Sequence, residues 1–208
     1  MTANIQTKIA SAADLIGSNF EAQDLSGFDL RGADLTGCNF NRAKLSGANF
    51  TGCTFTNSTF RGADLDRTIF VGALLKKCDF SRSNLHLSDF TDADTTGSDF
   101  TMSYGKATMF LRTRMWACSF RRVTYKNAFF IYTDLRKSDF VGADLLGARF
   151  NGADVRLTRN MDKAIYKWYL SPLGGPPSYV PRLGWEELDR SILGGITIQE
   201  NAAKGRNG

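Results

Sequence analysis

An apolar residue recurs at every fifth position over most of this chain, and no other feature of the sequence limits the fold as strongly. From Leu15 to Val155, each position divisible by five holds Leu, Phe, Met, Val or Tyr, except at Thr95 and Gly105. A period of five matches neither the 3.6-residue period of an α-helix nor the two-residue alternation of a β-strand. An unbroken short repeat instead predicts a solenoid, in which each unit packs on its neighbours.

The apolar positions are also sorted by a longer period of twenty residues. A coil of four five-residue units would stack residues twenty apart, so this sorting predicts a four-sided coil. About seven coils at the usual strand spacing of roughly 4.8 Å predict a rod about 35 Å long. Two of the four columns are mostly Leu, and the other two, on opposite sides, are almost entirely Phe: Phe20, Phe40, Phe60, Phe80, Phe100, Phe120 and Phe140; and Leu30, Phe50, Phe70, Phe90, Phe110, Phe130 and Phe150.

Two other positions of each unit have a restricted composition. The position two residues before each apolar centre is small, and the position just before the centre is often Asp or Asn, whose side chains bond to nearby backbone in tight turns. Phe28 breaks the small-residue rule, which predicts a distorted first coil. All four cysteines occupy the small position, so we interpret them as buried small residues rather than ligands or disulfide partners: Cys38, Cys53, Cys78 and Cys118.

This pattern resembles the pentapeptide-repeat family, whose units contain Ala, then Asp or Asn, then Leu or Phe, then two variable residues. Residues 31–35 and 61–65 read RGADL, and residues 141–145 read VGADL. The resemblance implies an all-β fold, a right-handed four-sided β-helix, with the centre and the small residue pointing inward. Some proteins of this family mimic duplex DNA and bind type II topoisomerases, protecting them from quinolone drugs.

Composition divides the chain into three parts. We expect residues 1–12 to cap the N-terminal end, residues 13–157 to form the solenoid, and residues 158–208 to form a mostly irregular C-terminal arm. The arm contains all four prolines, and short helices are expected at 160–169 and 184–193. Its large aromatic side chains are typical of a docking segment: Trp168, Tyr169, Tyr179 and Trp185.

The sequence offers no candidate active site. His86 is the sole histidine and follows an apolar centre, so it is expected on the outer surface, where a catalytic triad or a histidine metal cluster is hard to assemble. We therefore expect no enzymatic activity, no cofactor and no metal. No signal peptide is visible, and no apolar run approaches the roughly 18 residues of a membrane span. A cytoplasmic or virion protein without membrane contact is expected.

Two groups of outward positions are candidate binding surfaces. The third side should carry an apolar stripe, which either binds a partner or is covered by the chain's own aromatic arm: Ile69, Val71, Met109, Leu111, Phe129, Ile131 and Tyr132. Residues 101–157 are basic, in a chain of net charge +5, and basic residues close to aromatic ones can bind nucleic acid. This basic patch comprises Lys106, Arg112, Arg114, Arg121, Arg122 and Lys126.

Three functions remain open from the sequence. The first is a structural protein, such as a virion cement or capsid decoration component, that docks through the stripe and the arm onto other subunits or forms a homo-oligomer. The second, implied by the family resemblance, is a topoisomerase-binding DNA mimic, although mimicry requires a negative rod and residues 101–157 are basic. The third is a nucleic-acid-binding module, which we regard as the weakest of the three because a solvated face explains the basic residues as easily.

Overall fold

Each five-residue unit forms one tight turn followed by one β-bridge. The structure is a computed structural model and describes residues 15–162 and 164. The turn closes when the N–H three residues after an apolar centre donates to the carbonyl of that centre, as Ser18 N does to Leu15 O at 3.0 Å. The residue two places after each centre has a positive φ, as the third position of a type II turn requires.

Successive coils pair as a parallel ladder between residues twenty apart. Phe40 N donates to Thr59 O at 2.7 Å, and Thr59 N donates to Cys38 O at 3.0 Å. Most pairs are isolated bridges, and within the described residues two three-residue strands form, β1 (Tyr104–Lys106) and β2 (Thr124–Lys126), which pair in parallel. The described repeats therefore form a right-handed four-sided β-helix, as the sequence predicted.

The four sides are numbered by the column of centres that each one contains. Side 1 contains the column Phe20 to Phe140, side 2 the column Leu25 to Leu145, side 3 the column Leu30 to Phe150, and side 4 the column Leu15 to Val155. On each side the residues before and after the centre point outward, and the positive-φ residue that follows forms the corner. These three outward positions are free to carry function because the core does not use them.

The core consists of stacked Phe rings. Phe80 lies parallel to Phe60 at a centroid distance of 4.8 Å and to Phe100 at 5.0 Å. It also makes edge contacts with the opposite column, at 6.0 Å to Phe70 and 5.7 Å to Phe90. Both geometries are favourable for aromatic rings, and the stacking distances equal the strand spacing. The twenty-residue sorting of Phe is therefore confirmed as a structural column.

The small position has a bonding role besides its size. In most units its hydroxyl or thiol donates to the carbonyl of the centre 23 residues earlier, as in Ser58 Oγ to Leu35 O at 2.8 Å and Cys53 Sγ to Leu30 O at 2.9 Å. Three serines, among them Ser103, donate instead to the centre three residues earlier. All four cysteines are free and buried, which confirms their interpretation as small core residues. Burial raises the pKa of the thiols, to about 11 in Cys53 and about 12 in Cys78 and Cys118.

Gly105 and Tyr125 are neighbours in the side 2 column, and each stands where most units of that column have Leu. Tyr125 is fully buried, and its hydroxyl lies 2.5 Å from Ser103 Oγ. Ser103 Oγ itself donates to Phe100 O at 2.6 Å, so the phenol is the donor to Ser103. A Cβ on Gly105 would lie 2.9 Å from Leu85 O and 2.5 Å from Thr108 Oγ1, so this position holds no side chain.

Thr95 and Phe28 are both accommodated without a bend in the coil. Thr95 is fully buried, and its hydroxyl donates to Arg114 O at 3.3 Å. The predicted distortion around Phe28 is wrong: Phe28 N donates to Leu25 O at 3.2 Å, and Asn49 N donates to Phe28 O at 2.8 Å, as in a regular coil. The ring fits because it is half-buried at the edge of the core, in the first described coil.

The last coil is covered by the start of a helical segment. Residues 161, 162 and 164 are helical, and Met161 and Ala164 are buried in the core cluster. Asn160 O accepts from Ala164 N at 3.2 Å, while Asn160 Nδ2 donates to Asp139 Oδ1 at 3.1 Å. The predicted cap at 1–12, the rest of the helix at 160–169 and the helix at 184–193 lie outside the described residues. No helix among the described residues has the length and hydropathy needed to cross a membrane.

Candidate protein-binding face

The apolar residues predicted for the third side lie together on side 3, and we call this set the side 3 stripe. Met109 and Phe129 are bridge partners, and Asp89 bridges both Ile69 and Met109. The six aliphatic and Phe members are half-buried by their neighbours, and Tyr132 is 58% exposed. The stripe comprises Ile69, Val71, Met109, Leu111, Phe129, Ile131 and Tyr132.

Three residues of the side 3 stripe occupy the position whose side chain accepts a hydrogen bond in most units. The ladder leaves the N–H that follows each centre without a backbone acceptor, and the Asp or Asn before the centre accepts it, as Asp89 Oδ1 does from Thr91 N at 2.9 Å. Ile69, Met109 and Phe129 have no acceptor to offer. An apolar residue at this position therefore costs its unit a hydrogen bond worth about 1 kcal/mol, and it places an apolar group at the surface. Other units without an Asp or Asn mostly hold polar or charged residues at this position, so three apolar ones distinguish side 3.

Tyr132 adds a second cost at the same place. Its φ is +55°; of the six other corner positions of side 3, four are glycine, and Asp92 and Arg112 share the positive φ. A left-handed conformation costs a residue with a side chain roughly 1 to 2 kcal/mol. The ring lies over Gly152, where a Cβ would overlap Tyr132 Cδ1. The exposed ring extends the apolar surface of the stripe, which is typical of a binding surface.

The charges on side 3 are balanced. Arg31 pairs with Asp29 at 2.7 Å, and Arg112 pairs with Asp92 at 2.7 Å through two parallel hydrogen bonds. The hydrogen bond from Arg112 holds the pKa of Asp92 below its usual value. Arg149 lies over the Phe129 ring at 5.4 Å. Side 3 is thus a neutral, largely apolar strip between pairs of charged residues.

The predicted basic patch is not one surface. Five residues turn the chain through one corner, so neighbours in sequence lie on different sides of the rod. Three of the six cations also have carboxylate partners: Arg112 with Asp92, Arg114 with Asp94 at 3.8 Å and Arg121 with Asp139 at 3.5 Å. Lys106 and Lys126 share side 2, Arg114 lies on side 4, Arg121 on side 1, and Arg112 and Arg122 at corners.

One feature of side 2 was missed by sequence reasoning. A groove with a volume of about 540 Å³ runs beside Gly105, lined by residues of four successive coils that include His86, Lys106 and Lys126. The signal that the sequence carries is the pair of lysines twenty residues apart, Lys106 and Lys126. His86 is half-buried on the outer surface, as expected. Within the described residues, no three His, Cys, Asp or Glu side chains are grouped as metal ligands.

The arm residues expected to dock cannot be placed beside the stripe. Trp168, Tyr169, Tyr179 and Trp185 lie outside the residues that the structure describes. Their role in binding stays a prediction from the sequence.

Four flat sides, a parallel ladder at twenty-residue intervals and interior Phe stacks define the class of quadrilateral β-helices. A family model of pentapeptide repeats matches eight copies, over residues 13–52, 33–70, 68–101 and 118–156. These matches cover more than half of the chain, which therefore belongs to the pentapeptide-repeat family.

Solved structures with the same fold include QnrB1, a plasmid-mediated fluoroquinolone resistance protein. A trypsin-treated variant of QnrB1 is 22% identical, with a TM-score of 0.53 over 69% of this chain and 76% of that one. Full-length QnrB1 is 22% identical, with a TM-score of 0.51 over 69% and 72%. HetL of Nostoc sp. strain PCC 7120, involved in heterocyst differentiation regulation, is 17% identical, with a TM-score of 0.32 over 74% and 90%. A search of curated protein sequences gives no match.

Proposed function

We propose that this protein is a non-catalytic binding rod whose side 3 stripe docks onto a protein partner. The observation that carries the proposal is that large apolar side chains replace the turn-capping Asp or Asn at three positions of one side, Ile69, Met109 and Phe129. The exposed Tyr132 beside them supports it. A neutral apolar strip fits a protein surface better than a nucleic acid, whose binding depends on cations.

The described residues and the comparisons give no support to a virion partner in particular. The assembly expected from the sequence is therefore proposed only as a protein partner, which includes a second copy of this chain.

Type II topoisomerase binding is a second candidate. The likeness of fold to QnrB1, a fluoroquinolone resistance protein, favours it. The distribution of charge weighs against duplex mimicry along the whole rod, because residues 101–157 carry ten Lys or Arg against four Asp or Glu. Residues 18–100, with eight against eleven, are the more suitable part for such a contact.

Substitution by aspartate separates binding from folding in this repeat. Phe129→Asp and Met109→Asp each restore the usual turn-capping acceptor, so we expect the rod to remain folded while the stripe becomes charged. Leu74→Asp is the matched control, because Leu74 occupies the same position of its unit on side 4 and is 45% exposed.

The measurement is affinity capture from the native source, with purified topoisomerase II as a separate bait. A partner held by the wild type and Leu74→Asp but lost by Phe129→Asp and Met109→Asp would support the proposal. Equal retention by all four proteins would exclude the stripe as the interface. Topoisomerase bound equally by all four would favour the second candidate through another surface. Light scattering of the same variants tests self-association.

A truncation tests whether the arm contributes. The deletion should begin at residue 165 rather than 158, because Met161 and Ala164 are buried against the last coil. A partner lost by the truncated protein but retained by Leu74→Asp would assign part of the interface to the arm.

A further inference from the structure

The side 2 groove has a chemistry that the proposed function does not use. It lies on the side next to the stripe and is lined by Asp64, Asp66, Asn84, His86, Tyr104, Gly105, Lys106, Thr124 and Lys126. Its floor is the stretch around Gly105 where β1 pairs with β2. The groove is therefore a concave site on side 2 of the rod.

Two lysines lie next to each other in this groove. Lys106 and Lys126 are register partners on β1 and β2, so their backbones are about 4.8 Å apart. Directly opposed like charges destabilise a pair of strands. Neither ammonium group has a carboxylate within 4.0 Å in the described part of the chain, although lysines elsewhere do, such as Lys76 with Asp94 at 3.3 Å. An anion between the two lysines would relieve this repulsion.

Carboxylates lie on both sides of the lysine pair along the rod. Asp64 lies two coils from Lys106 and accepts from Asn84 Nδ2 at 2.9 Å, and Asp66 lies beside it. In the other direction, Asp144 is the bridge partner of Thr124. The cationic stretch is thus two coils long, about 5 Å from one lysine backbone to the next. A nucleic acid lying along side 2 would bring further phosphates onto these carboxylates, because each strand carries one charge per about 3.4 Å.

The remaining groups of the groove suit a phosphate ester with a flat ring. Thr124 offers a hydroxyl beside the lysines, and Tyr104 is 53% exposed, so its ring can stack on a planar group. We propose that the side 2 groove binds a small phosphate monoester that carries an aromatic ring, with the phosphate between Lys106 and Lys126. Lysine binds phosphate as a point charge and needs no fixed geometry.

An NMR titration of the full chain tests this assignment. Amide spectra are recorded with adenosine 5′-monophosphate, glycerol phosphate and a DNA duplex, each at constant ionic strength set with sodium chloride. The variants are Lys106→Gln and Lys126→Gln, with Lys77→Gln as control, because Lys77 is an exposed lysine at the corner between sides 4 and 1. The spectra themselves report whether each variant is folded.

We expect saturable shifts at residues 104–106 and 124–126, and tighter binding of the nucleotide than of glycerol phosphate. Each groove variant should weaken binding about tenfold, since one charge-assisted hydrogen bond is lost, and Lys77→Gln should not. Shifts that do not saturate, or that survive in both groove variants, would overturn the site. Equal affinity for the two monoesters would overturn the ring-bearing ligand, and preference for the duplex would replace it with nucleic acid.

Discussion

A matched pair of Phe substitutions can measure what ring stacking contributes beyond burial. Phe80 and Phe150 are both buried, at 0% and 2% exposure, so Phe→Leu removes a similar apolar area at each. Phe80 makes two stacked and two edge contacts, whereas Phe150 stacks on Phe130 alone among the described rings, at 4.9 Å. Phe80→Leu therefore loses three more ring contacts than Phe150→Leu.

At about 0.5 to 1.5 kcal/mol for each aromatic pair, the three extra contacts should make the difference in unfolding free energy roughly 1.5 to 4.5 kcal/mol, with Phe80→Leu the less stable. Urea unfolding of both variants measures it, and equal slopes against urea would allow the midpoints to be compared directly. Equal midpoints would show that buried area alone sets the stability of the core, and that the twenty-residue sorting of Phe has another cause.

Three further predictions concern single positions. Gly105→Ala should destabilise the rod by about 2 kcal/mol in urea unfolding, because the new Cβ would lie 2.9 Å from Leu85 O; an unchanged midpoint would mean that the coil can shift. Tyr132→Gly should leave the rod equally or more stable, because glycine adopts φ +55° without strain, yet it should weaken partner binding; a marked loss of stability would show that the tyrosine serves folding. Burial raises the pKa of Cys78 and Cys118 from 9.0 to about 12, so both should resist alkylation near pH 9 until urea unfolds the chain. The contribution of the two neutral thiols to the unfolding free energy should be fully present below about pH 9 and should fall as the pH rises toward 12, because the thiols of the unfolded chain ionise first. Rapid alkylation of the native protein would contradict this prediction.

The sequence predicted the core well because every core position obeys one rule. The period of five placed the centres, and the period of twenty placed the Phe columns. Two details required the structure. A column of letters does not reveal that the ring of Tyr125, one coil beyond Gly105, is buried with its hydroxyl bonded to Ser103. Phe28 fits because it is only half-buried, at the edge of the core in the first described coil.

The surface was predicted less well, because distance along the chain and distance in space differ most there. The stripe was found by comparing residues twenty apart, and the structure places its members on one side. The basic patch was found by counting charges within a short segment, which passes around all four sides of the rod. The groove depends on residues from four successive coils and on the register of two lysines, and neither produces a run of similar residues.

Because this repeat has two periods, a change in chain length can rearrange the surface while it leaves the core intact. An insertion of one five-residue unit between Val71 and Met109 would leave an apolar residue at every inward position. It would also rotate every later outward residue by a quarter turn, so that Met109 and Phe129 no longer shared a side with Ile69. Changes of chain length in steps of five could therefore give related rods with intact interiors and rearranged binding surfaces, and only steps of twenty would preserve both.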